Sequence, residues 1–225
     1  MGVGSLSNTH PGGRREDGRI SGALGANPGS RREGGWGGPG FLFGDGAGGH
    51  RMARALIVVD FEEEWRTKGS DYYLGEFGER ITNTRKLIAG ARRAGIQVLF
   101  TRHIEPGSTT AFAKGSPGVA ILTELEPRAS ERVFEKNRIS PFYRTGLEAY
   151  LVEKAIADII VCGIMTNLCV RSLVSDAYDR EMAITVASDA CVSDSEETDR
   201  FTFDDLRKTR PEVKIARTEE ILHGL

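Results

Sequence analysis

The chain has 225 residues, with 30 Lys+Arg against 32 Asp+Glu and a formal charge of −2 at pH 7. Near-neutral charge gives no electrostatic footprint for nucleic acid. No apolar run reaches the roughly 18 residues of a membrane span, and the N-terminus lacks the apolar core and small-residue cleavage site of a secretory signal. Glycine is unevenly spread, with 17 of its 28 copies in residues 1–50. Residues 1–51 therefore read as a disordered Gly/Arg-rich tail, with Met52 as a candidate true start. Residues 52–225 read as one globular domain large enough to bury a core. Three cysteines, an odd number without a CxxC, fit a reducing compartment, so the expected location is the cytoplasm.

In chain order, Ala55–Val59 (ALIVV) is a short apolar run ending at Asp60, as suits a strand buried on both faces. Arg80–Ala94 has helical apolar spacing and stops at Gly95. Ile96–Thr101 is a second strand, residues 103–118 are mostly loop, and Val119–Leu125 is a short helix. Arg132–Glu135 is a third strand, Thr145–Lys154 an amphipathic helix, and Asp158–Gly163 (DIIVCG) a fourth strand. Asn167–Arg180 is helical, Ala183–Ser188 a fifth strand, Glu196–Lys208 a polar helix, Val213–Ala216 a sixth strand, and Ile221–Leu222 a last helical turn. Strands alternating with helices imply an α/β fold, a Rossmann-like three-layer sandwich around a six-stranded, mostly parallel sheet.

Ligands of such folds sit beyond the carboxyl ends of the strands. Four places qualify: Asp60, Arg102–His103, Glu135–Lys136 and Gly163–Cys169. Cys169 lies between a strand and a helix, where free N–H groups and the helix dipole favour a thiolate and can hold an oxyanion. Each residue also has an ordinary role: a small core cysteine, a capping aspartate, a solvated lysine. Together, a carboxylate, an ammonium and a thiol at one sheet edge form a base, orienter and nucleophile. The phosphatase cysteine loop is missing, since position 175 is serine, and neither glycine-rich phosphate motif occurs. Only His103 and His223 fall in the globular region, so no histidine metal site is expected.

IVVDFEEEW, EKNRISPF and CGIMTNLCV, in that order, together with SDACVSDSEE, resemble the isochorismatase-like cysteine hydrolase superfamily over residues 52–225. Its members include nicotinamidases, N-carbamoylsarcosine amidases and ureidoacrylate amidohydrolases. The resemblance implies a catalytic triad of Asp60, Lys136 and Cys169. It implies a cis peptide at Ile164–Met165, an oxyanion hole of the Met165 and Cys169 amides, and Trp65 lining the pocket. Phe61 and His103 are further candidates for substrate contact. Arg102 could pair with a substrate carboxylate or in a sheet-edge salt bridge, and Arg171 is expected to be structural or at a subunit contact. TRHIEPGS lacks the Asp-x-His of metal-holding nicotinamidases, so neither metal nor cofactor is expected.

The implied reaction is hydrolysis of a C–N bond in a small amide or ureido compound through a thioester, in a homodimer or homotetramer, with no nucleic-acid or membrane partner. Isochorismatase-type ether hydrolysis and a catalytically inactive binding or redox-sensing member are the rival readings.

Overall fold

The computed structural model describes residues 53–225. The expectations about residues 1–51 and about Met52 as a start lie outside them. Six strands, β1 (Ala53–Val59), β2 (Gln97–His103), β3 (Arg132–Lys136), β4 (Ile156–Ile164), β5 (Ala183–Val192) and β6 (Lys214–Ala216), form one sheet in the order β3-β2-β1-β4-β5-β6. Every pairing is parallel. The helices are α1 (Gly78–Arg93), α2 (Leu147–Glu153), α3 (Arg171–Tyr178), α4 (Glu196–Thr209) and α5 (Thr218–His223).

The apolar runs of the inner strands are explained by the two faces they serve. In β1, Leu56 and Val58 meet Leu87, Ile88 and Ala91 of α1 and Ile221 of α5 on one side. Ala55, Ile57 and Val59 meet Leu147 of α2, Leu173 of α3 and Leu206 of α4 on the other. Side chains alternate along a strand, so a strand covered on both faces must be apolar at consecutive positions. Among the described residues, no helix is long and apolar enough to cross a membrane.

Three local expectations are corrected. Val119–Leu125 is not a helix but holds only two 3₁₀ turns, ending at Val119 and starting at Thr123. The backbone between them is taken up by the segment after β1: Ile121 bridges Glu62, the Leu122 amide donates to Phe61 O, and the Glu63 amide donates to Ala120 O. The expected helix from Asn167 begins as a π-helical turn over Thr166–Val170 and becomes α-helical only at Arg171. β5 runs on to Val192, so SDACV lies within the strand rather than after it, and Cys191 is a buried strand residue.

Near the carboxyl ends of β1 and β4, Val59 pairs with Gly163. Gly163 has φ +147°, and a Cβ there would stand 2.3 Å from Val59 O and 2.5 Å from Val59 Cβ. Gly163→Ala must therefore force two central strands apart. It is expected to lower stability by about 2–6 kcal/mol, from backbone strain and overpacking together. A urea unfolding midpoint equal to that of the unaltered protein would show that the strands can yield.

Candidate active site

Asp60 follows β1 with φ +51°, an uncommon conformation for a residue with a side chain. The bend is held by its amide donating to Thr101 O (3.2 Å) and by Trp65 Nε1 donating to Asp60 O (2.8 Å). Its carboxylate points into the protein. Thr101 Oγ1 donates to Oδ1 at 2.6 Å. Lys136 Nζ stands 2.7 Å from Oδ2 in a buried ion pair. Lys136, the last residue of β3, reaches over the end of β2, and its Nζ also lies 3.3 Å from Cys169 Sγ and donates to Arg138 O at 3.1 Å. Strand ends on three parts of one sheet thus bring the carboxylate, ammonium and thiol together. The Asp60 and Lys136 side chains are 0 % exposed.

Burial alone would push the Lys136 ammonium down in pKa. The charges of Asp60 and Cys169 and the hydrogen bonds to both outweigh burial and raise it. Burial, then the negative charge of Asp60, pushes the Cys169 thiol up to about 12, against a weaker opposing pull from Lys136. The helix start favours a thiolate at Cys169, but burial and Asp60 oppose it more strongly than Lys136 supports it. The ammonium is already neutralised by Asp60, and a buried thiol beside a carboxylate keeps its proton. Cys169 needs a base beside it, and the Asp60 carboxylate, whose charge acts on the thiol, is the one at hand.

The Ile164–Met165 peptide bond is cis, and Met165 is the extended residue before the π-helical turn that carries Cys169. The Met165 carbonyl accepts the amides of Leu168 and Val170, both at 3.1 Å, which fixes the turn. His103 Nδ1 lies 3.4 Å from Lys136 Nζ, and the ring stands edge-on to Phe112 at 5.2 Å. Burial first, and then the Lys136 charge, lowers its pKa, so it is neutral at neutral pH. Trp65 packs on Phe112 and Tyr72 at centroid distances of 5.0 and 6.1 Å. Phe61 instead faces the core against Phe77 and is 1 % exposed. Arg102 pairs with Glu135, and Arg171 with Asp205, each at 2.5 Å. Among the described residues, no cluster of three His, Cys, Asp or Glu is arranged to hold a metal ion.

Two buried polar residues at this edge escape the sequence patterns. Thr101 follows the apolar run of β2, and only its polarity at a buried position marks it. Glu62 stands in a run of three glutamates, which reads as a solvated surface, yet it is fully buried. A cavity of about 530 Å³ adjoins Lys136, with Lys114, Glu135, Arg138 and Arg144 in its wall.

Comparison with known proteins agrees with this architecture. An isochorismatase domain model matches residues 54–219. Ureidoacrylate amidohydrolase RutB of Yersinia enterocolitica is 32% identical over 171 residues, covering 61% of this chain and 74% of that protein. The structure of N-carbamoylsarcosine amidase from Thermoplasma acidophilum matches with TM-score 0.66 and 25% identity, over 74% of this chain and 97% of that one. An isochorismatase-like hydrolase from Alkaliphilus metalliredigens shares the fold with TM-score 0.70 at 24% identity, over 77% of this chain and 97% of that one. With a family model spanning its sheet from β1 into α5, this chain belongs to the isochorismatase family.

Proposed function

We propose that the protein hydrolyses a C–N bond of a small amide or ureido compound, with Cys169 as nucleophile. The contact of Lys136 Nζ with both Asp60 Oδ2 (2.7 Å) and Cys169 Sγ (3.3 Å) carries this reading. Asp60 takes the Sγ proton as the sulfur attacks the carbonyl carbon. The oxyanion forms against the Met165 and Cys169 amides, where loss of one such donor costs about 2.7–4 kcal/mol in other enzymes. The C–N bond then breaks, and the leaving nitrogen takes the proton from Asp60. Water, deprotonated by Asp60, adds to the thioester, the C–S bond breaks, and the thiolate recovers its proton.

Lys136 pairs with the Asp60 carboxylate before transfer and balances the thiolate afterwards. The names of the relatives favour ureido and carbamoyl substrates. In the cavity wall Glu135 pairs with Arg102 and Lys114, whereas Arg138 and Arg144 have no carboxylate partner among the described residues. That surplus of positive charge suits a substrate that also carries a carboxylate.

Two measurements test the reading. Ammonia release is followed with nicotinamide, carbamoyl amino acids, ureidoacrylate and maleamate, and turnover of a carboxylate-bearing member is expected. Iodoacetamide labelling, mapped by peptide mass, is expected at Cys169. Cys162 and Cys191 are both 0 % exposed, against 9 % for Cys169, and their thiols are also pushed up by burial. Preferential labelling of either would remove the nucleophile assignment.

A further inference from the structure

Glu62 is a buried ionisable group that the proposed chemistry leaves without a task. It lies two residues past Asp60, where the chain turns after β1: its amide donates to Asp60 O at 3.0 Å, and Ile121 bridges it from outside the sheet. Its side chain reaches the end of β2. Oε1 accepts the His103 amide at 2.5 Å, and Oε2 is buried without a partner. The charged and titratable groups facing it are Asp60 after β1, Arg102 and His103 on β2, and Lys136 on β3. Arg102 is engaged with Glu135, and Lys136 with Asp60. An ionised Glu62 would be a second buried anion with one N–H partner and no cation of its own. A neutral carboxyl in the same place costs far less.

We propose that Glu62 is a positioning residue that works as an uncharged carboxylic acid, tying the end of β2 to the turn after β1 and leaving the Lys136 charge to Asp60 and Cys169. Burial, followed by the negative charge of Asp60, holds its carboxyl well above the ordinary carboxylate range; the His103 amide, Lys136 and Arg102 pull less strongly the other way. The path to the reacting groups is short, because the amide held by Glu62 belongs to His103, whose ring stands 3.4 Å from Lys136 Nζ. The positioning role rests on the Cys169 reading. The protonation state does not.

The test follows from linkage. With its folded pKa above the unfolded value of 4.5, Glu62 keeps in the fold a proton that the unfolded chain releases. Stability therefore erodes as pH rises from that value until Glu62 ionises in the fold. Glu62→Gln is neutral throughout and keeps an oxygen to accept the His103 amide. The Tm difference between this variant and the unaltered protein is expected to move in the variant's favour by about 3–5 °C per pH unit above about pH 5, until Glu62 ionises in the fold. A difference independent of pH overturns the proposal.

The second readout is the rate of Cys169 alkylation by iodoacetamide. Glu62→Ala is expected to slow it several-fold and Glu62→Gln to restore it. Equal slowing in both variants, or none in Glu62→Ala, overturns the positioning role. If the label goes instead to Cys162 or Cys191 in the unaltered protein, the nucleophile reading has failed, and the Tm slope still reports the state of Glu62.

Discussion

Cys169→Ala is expected to abolish amide turnover, by roughly 10⁴-fold or more if the loss resembles that of other covalent hydrolases stripped of their nucleophile. No other thiol can substitute. Cys162 is in β4 with its Sγ 4.0 Å from Ile57 O, and Cys191 is sealed inside β5. The fold is expected to survive, because Cys169 Sγ takes part in one side-chain hydrogen bond, from Lys136, and the change deletes a single heavy atom. Steady-state ammonia release measures the first effect and urea unfolding the second. Undiminished turnover would return Cys169 to the role of a small core residue. Cys169→Ser separates the rival chemistries: a thioester route loses its soft nucleophile and slows severely, whereas ether hydrolysis through Asp60 proceeds at near-normal rate.

Lys136→Met carries the other large effect, and stability shows it as clearly as activity. Removing the ammonium strands the Asp60 carboxylate in a fully buried site with only Thr101 donating to it. Breaking a buried pair on one side costs about 3–5 kcal/mol. Asp60→Asn combined with Lys136→Met removes both charges and is expected to regain much of that loss. Neither variant is expected to turn over amide. Urea unfolding of the two single variants and the double gives the coupling, and additive losses would mean that the pair is not coupled. The pH dependence has a definite sign. Lys136 has a raised pKa in the fold, so its contribution is complete below about 10.5 and is lost as pH climbs through the higher folded value. Lys136→Met should therefore forfeit the most near neutrality, and its deficit should shrink in strong alkali.

The sheet was legible because a strand buried on both faces must be apolar without a break. ALIVV and DIIVCG leave little room for another reading, and both proved to be central strands. Asp60 stood out because it directly follows such a run, Lys136 because it follows a short predicted strand, and Cys169 because it lies between a strand and a helix; Lys136 touches both of the others. Val119–Leu125 misled because its apolar residues are spaced for a helix face, while a remote segment after β1 claims its backbone. Glu62 stayed hidden for a related reason. Its neighbours Glu63 and Arg66 form a partly exposed ion pair, so the run looks solvated, and the burial of Glu62 depends on β2 lying beside it. The charge state of Cys169 was equally out of reach, since it turns on which of two neighbours already holds the ammonium.

The strand order also bears on how the chain is made. Synthesis delivers β1, β2 and β3 first, and these are contiguous on one side of the sheet. Until β4 leaves the ribosome, β1 presents a bare edge of unpaired amides and carbonyls on the side that Gly163 will later approach. An apolar strand edge of this kind is a template for pairing with another nascent chain. The crowding between Val59 and Gly163 thus has a counterpart in the cell. The interval before residue 163 emerges is when this protein depends most on being kept from its neighbours, and slowing translation there should raise the insoluble fraction.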